Sequence, residues 1–166
     1  MDNQRFIPHR IIKISNFITI ILVTLLIYSC TSGGYYSDYK RIPHSGWNKD
    51  SAVHFQVPVD DTVTHFEVIV NIRHYSNYPY QNCWLFMTEK APNGQISNDT
   101  IGCYLADDRG KWLGSGLSSI YTMPVLWHKD KRFSRKGTYT FSIVQGMRDD
   151  ILSGISDIGM EINKSQ

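Results

Sequence analysis

Of the three cysteines in this 166-residue chain, Cys83 and Cys103 raise the sharpest chemical question. They lie in the stretch Tyr78–Gly116, where two apolar, β-prone runs, Cys83–Thr88 and Thr100–Leu105, flank Pro92-Asn93-Gly94. Proline suits the first central position of a type I turn, and glycine takes the positive φ that follows. The expected result is a hairpin with a three-residue loop and a glycine bulge, closed by Ala91 and Gln95. Counting outward sets Leu85 against Ile101 and Cys83 against Cys103, with Trp84, Phe86 and Tyr104 on the opposite face. Two opposed cysteines are within disulfide reach. The same count makes them a hydrogen-bonded pair with Cα atoms about 5.5 Å apart, a less comfortable geometry for a cross-strand bridge. A disulfide and a pair of buried free thiols both remain open.

Other reactive residue types carry weaker signals. His65 and Glu67 share a strand face and His54 falls on a neighbouring run, but no His-x-x-Glu-His or Cys-rich spacing supports a metal centre, and none is expected. Asp107-Asp108-Arg109-Gly110 lacks EF-hand spacing, and turn chemistry accounts for each residue. Gly114-Ser115-Gly116 lacks the spacing and the strand-to-helix context of a nucleophile elbow. Asp149-Asp150 reads as an exposed loop pair. No cofactor is implied and no enzymatic activity is expected. Lys129, Lys131, Arg132, Arg135 and Lys136 cluster, as solvated loops often do.

The third cysteine, Cys30, has a different setting. Arg5, Arg10 and Lys13 precede an apolar run of about 11 residues, Phe17–Ile27, too short to span a bilayer as a helix. The run ends in Ile27-Tyr28-Ser29-Cys30, which resembles a bacterial lipobox: an aliphatic residue, a small residue, then the acceptor cysteine. That resemblance implies residues 1–29 as a lipoprotein signal peptide, acylation (palmitate included) at Cys30, and anchoring by several chains. A lipidated cysteine and tether over residues 30–45 and a folded domain over 46–166 are expected. No aspartate directly follows Cys30 and no acidic run comes in the next few residues, which by resemblance to lipoprotein sorting points to the outer membrane, facing the periplasm. Export also places Cys83 and Cys103 where disulfides form.

The signal segment carries three of the 17 Lys and Arg and one of the 15 Asp and Glu, so the mature chain has 14 of each and a net charge of zero. That balance gives no support to nucleic-acid binding.

The elements that position these groups read as strands. Val53, Phe55, Val57 and Val59 alternate with polar residues, and Pro58 marks that strand as an edge. Phe66, Val68, Val70 and Ile72 repeat the alternation, which suggests a hairpin of 53–59 with 64–72. Ile120–Leu126 reads as an edge strand containing Pro124, and Trp127–Lys136 as a charged loop. Thr138–Gln145 is a strand, Gly146–Gly154 a connection with room for one helical turn, and Ile155–Ile162 a last strand with Ile158, Met160 and Ile162 inward. Apolar residues nowhere hold a 3.6-residue period over three turns. The fold class is therefore all-β: an antiparallel sandwich, jelly-roll- or immunoglobulin-like, of about seven or eight strands, with a closed barrel as the alternative.

Several spaced motifs then agree in order with one family. Arg73, Tyr78-Pro79-Tyr80, Asn82, Trp84-Leu85-Phe86, Asp99-Thr100, Leu105-Ala106-Asp107, Gly110 and Trp112-Leu113-Gly114 resemble the GldH family of gliding-motility-associated lipoproteins. Gly137, Tyr139, Gln145, Met147-Arg148 and Gly154 continue the likeness, which covers the chain from about Trp47 to Ile162. The resemblance implies a periplasm-facing outer-membrane lipoprotein that supports gliding motility and the associated type IX secretion machinery through protein contacts. It carries over no active-site residues. The alternative is a β-sandwich module for cell-envelope glycan, with Trp112, Tyr121 and Trp127 as stacking platforms. Trp112 serves equally as a contact or as a plug at the end of the core, whereas Trp84 reads as such a plug.

Overall fold

The computed structural model describes residues 34–165, which form strands and connections and contain no helix. In chain order the strands are β1 (Tyr36–Arg41), β2 (Trp47–Asn48), β3 (Val53–Val59), β4 (Phe66–Tyr75), β5 (Asn82–Lys90), β6 (Ile96–Tyr104), β7 (Ser115–Leu117), β8 (Ile120–Lys131), β9 (Gly137–Gln145), β10 (Ile151–Leu152) and β11 (Ile155–Lys164). Eight have six residues or more. They build a five-stranded sheet in the order β1-β11-β4-β8-β7 and a four-stranded sheet in the order β3-β9-β5-β6. The ribbon β10-β2 is a small third unit. Both main sheets are open and antiparallel, so the domain is a sandwich and the barrel alternative falls away.

Alternation explains the core. Val68, Val70 and Ile72 of β4 and Ile158, Met160 and Ile162 of β11 are buried with Phe55 and Val57 of β3, Leu85 and Met87 of β5, and Phe141 and Ile143 of β9. Each such side chain contributes roughly 1.5–3 kcal/mol of hydrophobic stabilisation. Trp47, on β2 of the ribbon, is buried, its indole N–H donating to the Ser51 carbonyl at 2.8 Å.

The central hairpin has the expected register. Cys83 faces Cys103 and Leu85 faces Ile101, and Ala91–Gln95 closes the loop with Gly94 at φ 83°. Pro58 lies on the edge strand β3, and Pro124 lies beyond the last residue of β8 that β7 covers.

Four expectations need correction. The stretch 30–45 is not all tether: all six residues of β1 pair with β11, so the folded domain begins near Tyr36. Asp38 and Lys40 alternate with Ser37 and Arg41 on that edge strand, and no apolar pattern signals it. The runs 53–59 and 64–72 are not a hairpin, because β3 and β4 belong to opposite sheets. Asp61 accepts hydrogen bonds from the amides of Val63 and Thr64 and from the Thr64 hydroxyl, shaping a loop that carries the chain across. Trp127–Lys131 is strand rather than loop, since β8 pairs with β4 as far as Phe66 opposite Lys131. Finally, β10 occupies part of the connection for which a helical turn was expected.

Candidate contact site

The structure places the residues singled out by their chemistry apart from one another. Cys83 is buried, Cys103 is half-buried, and both are free thiols, with Cys103 Sγ 3.5 Å from the Cys83 carbonyl oxygen. Burial pushes the Cys83 thiol up to about 12, with Cys103 adding to the shift, and burial pushes Cys103 up to about 11. Neither is an activated nucleophile. His54 bonds Ser142 at 2.8 Å in the four-stranded sheet, while His65 pairs with Asp130 at the edge of the other, so His54, His65 and Glu67 do not converge. Among the described residues no group of three or more His, Cys, Asp or Glu is placed to hold a metal ion. Asp107 accepts from the amides of Arg109 and Lys111, as a turn requires. Asp149 accepts from Tyr80, and Asp150 pairs with Lys49. Cys30 lies outside the described residues.

Trp112, Tyr121 and Trp127 do not form an exposed platform. Trp112 packs 4.5 Å from the His74 ring and 6.1 Å from Tyr121, closing one end of the core. His74 is fully buried in that cluster, and burial holds its imidazole below the usual histidine range. Trp127 stands edge-on to Phe141, and its indole N–H donates to Asp99 at 2.9 Å.

The exposed aromatic surface lies elsewhere, on the outer face of the four-stranded sheet. Residues alternate across a strand, so burying Cys83, Leu85 and Met87 turns Trp84 and Phe86 outward. Trp84 is 45% exposed, Phe86 52%, and Tyr104 on the neighbouring strand 71%. Two glycines give these rings their seats. A Cβ at Gly102 would stand 2.6 Å from the Trp84 ring, so the indole lies flat on bare backbone. At Gly146 a Cβ would meet Phe86 at 3.2 Å.

The chain after β9 supplies one wall. Gly146 N–H donates to the Trp84 carbonyl at 2.7 Å, and Trp84 N–H points at Met147 Sδ at 3.4 Å. The buried Gln145 side chain accepts from Met147 N–H and donates to the Asp149 carbonyl, locking the turn. Tyr80 braces it through a 2.8 Å bond to Asp149. The resulting groove of about 470 Å³ is lined by Tyr80, Trp84, Phe86, Met147 and Arg148. Arg148 is exposed at its rim. Counting the hairpin register reveals the outward direction of Trp84, Phe86 and Tyr104, but not that the face stays uncovered, so reading Trp84 as a core plug is wrong.

The other sheet's outer face carries a polar row near one end. Arg41, Asp157, Arg73, Thr122 and Ser115 form one row across it. Arg73 lies 4.1 Å above the Tyr39 ring.

The fold is thus an all-β sandwich with a buttressed aromatic groove on the outer face of one sheet. The chain belongs to the GldH lipoprotein family, whose model matches residues 34–162. It is 31% identical over 159 residues to a protein of Flavobacterium johnsoniae called gliding motility lipoprotein GldH, covering 92% of this chain and 98% of that one. It is 34% identical over 153 residues to a gliding motility lipoprotein GldH homolog of Christiangramia forsetii, covering 87% of this chain and 93% of the relative.

Proposed function

We propose that this chain is a gliding-motility lipoprotein of the outer membrane, anchored through Cys30 and facing the periplasm. It acts without catalysis, as an accessory of the motility apparatus and the associated type IX secretion machinery, through protein–protein contact. Family membership supports the motility role, and the lipobox-like Ile27–Cys30 supports the anchor.

The observation that carries the contact reading is the outward Trp84–Phe86–Tyr104 face. Solvent-facing sheet positions are ordinarily polar, and tryptophan, tyrosine and arginine are the residues that dominate protein interfaces. The groove fits an apolar side chain of a partner protein seated between Trp84 and Phe86, with a carboxylate reaching Arg148. Arg148 has no ion-pair partner among the described residues.

Crosslinking and affinity capture from intact membranes tests this. The expected result is recovery of motility or secretion proteins with the native chain and their loss with Trp84→Ala/Phe86→Ala. Retention on peptidoglycan alone, unchanged by those substitutions, would favour the glycan-binding alternative and overturn the contact reading.

A further inference from the structure

The basic cluster in the sequence acquires a location in the fold. The segment between β8 and β9 is pinned by Phe133, which is fully buried 5.6 Å from the Phe66 ring and 4.8 Å from Tyr139. The Arg135 amide donates to the Tyr139 hydroxyl at 3.2 Å. Burying Phe133 turns its neighbours outward, so Arg132, Arg135 and Lys136 are exposed on a short, tied loop. Lys129 and Lys164 are exposed at the same end of the sandwich: Lys164 pairs with Phe66, Phe66 with Lys131, and Ser165 bonds the Lys129 carbonyl.

Four acids at this end have partners within the fold, and two of these are ion pairs. Glu89 binds Lys131, and Asp130 binds His65. Asp61 is held by its own loop, and Asp60 accepts from the Tyr35 hydroxyl at 2.8 Å. Lys129, Arg132, Arg135, Lys136 and Lys164 have no ion-pair partner among the described residues. Lys129, Lys131, Arg132, Arg135, Lys136 and Lys164 here outnumber Asp60, Asp61, Glu89 and Asp130 by two, so a chain with a formal net charge of +2 carries a local positive excess at this end.

The chain enters the domain at this same end. Tyr35, Asp60, Asp61, Val63, Lys136 and Lys164 line one open cleft, and Gly34 immediately precedes Tyr35. Cys30 is four residues before Gly34, a separation that a fully extended chain spans in about 14 Å. Val63, at the tip of the β3–β4 loop, is 81% exposed. The Trp84 groove sits toward the other end of β5, so the two surfaces need not compete.

We propose that this end is a second membrane contact: the cations bind the headgroups of anionic phospholipids while Val63 enters the headgroup layer. This rests on the reading of Cys30 as the lipidated residue. Acyl chains there hold the domain beside the bilayer, and attraction to anionic lipid is effective once its cations come within about a Debye length of the surface. The domain then stands on the bilayer with its aromatic groove held away from it.

The test uses the full lipoprotein in vesicles of phosphatidylethanolamine with and without phosphatidylglycerol, followed by hydrogen exchange. Segments 60–65 and 131–137 should be protected on the phosphatidylglycerol vesicles, while 145–152 exchange alike on both. High salt should remove the protection. Each of Arg132→Ala, Arg135→Ala and Lys136→Ala should lower the docking equilibrium about fivefold. Equal exchange on the two vesicle types, or protection that survives high salt and the substitutions, overturns the proposal. Flotation with neutral vesicles after a high-salt wash reads the anchor separately. A chain that floats without lipid-dependent protection refutes the docking alone, and one that fails to float refutes the anchor.

Discussion

The ion pair between Glu89 and Lys131 offers a direct measure of what holds the two sheets together at one edge. Glu89 lies on β5 of the four-stranded sheet and Lys131 on β8 of the five-stranded sheet. The ammonium meets both carboxylate oxygens, at 2.8 and 2.6 Å. Their side chains are only 10% and 21% exposed, beside a cleft lined by Phe133 and Tyr139. Breaking a fully buried pair by removing one partner costs about 3–5 kcal/mol, whereas an exposed pair is worth about 0–1 kcal/mol. Some water reaches Lys131, so Glu89→Ala should cost about 2–3 kcal/mol. Glu89→Gln keeps one hydrogen bond and should cost about 1–2 kcal/mol. The double replacement Glu89→Leu/Lys131→Met removes both charges while retaining bulk and should cost less than Glu89→Ala alone. Urea unfolding followed by tryptophan fluorescence measures all three; with a slope of about 1–3 kcal/mol per molar, Glu89→Ala moves the midpoint by roughly 1–2 M. A loss below about 1 kcal/mol for Glu89→Ala, or a double variant less stable than either single, would refute the assignment of this pair as a desolvated inter-sheet tie.

Three further outcomes are expected. With the Cys103 and Cys83 values pushed up to about 11 and about 12, the thiols of the reduced native protein should alkylate at pH 8 about a hundredfold and about a thousandfold more slowly than a free cysteine, and rapidly in urea. Timed mass measurement checks this, and fast native labelling would show that the hairpin opens or that burial is overstated. Leu85→Ala, at a position with no exposure, should cost about 2–5 kcal/mol, whereas Trp84→Ala next to it should cost about 1 kcal/mol or less, because that ring is half in solvent. Comparable urea midpoints for the two variants would contradict the assigned faces of β5. The Asp61 carboxylate is held down to about 2, first by the Thr64 hydroxyl and amide and then by the Val63 amide. A depressed folded-state value gives stability that is present above the unfolded value near 4 and lost as pH falls towards 2. Asp61→Ala should therefore flatten the acid limb of the stability profile in that window, and an unchanged limb would show that the loop contributes nothing to acid sensitivity.

The long strands were legible because their burial is one-sided. Alternation in 53–59, 64–72 and 155–162 gives the inward residues directly, and Pro92-Asn93-Gly94 fixes the register of the one hairpin whose turn chemistry is explicit. The same alternation cannot assign strands to sheets. A run that packs one face on the core looks identical whether its neighbour lies beside it or across from it, so β3 and β4 suggested a hairpin. What separates them is the Asp61 hydrogen-bond set, where side-chain geometry turns the chain. β1 and the end of β8 were hidden for another reason: both lie along sheet edges, where half-exposed positions accept Tyr, Lys and Asp without an apolar signature.

The sites were harder to read because a solvent-facing aromatic and a core aromatic are the same letter. Trp84 and Trp112 were weighed as plugs, yet the structure buries one edge of Trp112 against His74 and lays Trp84 open on Gly102. Glycine opposite an outward aromatic is the local signal that distinguishes them, since it marks where a ring needs bare backbone beneath it rather than a partner sheet above. Net charge misleads in a parallel way. A chain with 17 Lys and Arg against 15 Asp and Glu reads as nearly balanced, and only the fold reveals that Lys129, Lys131, Arg132, Arg135, Lys136 and Lys164 gather at one end with fewer acids beside them. Of those cations, Lys136 and Lys164 share a cleft with Tyr35, next to the first described residue. The proposed bilayer contact and the aromatic groove lie toward opposite ends of β5, so occupation of one would leave the other free.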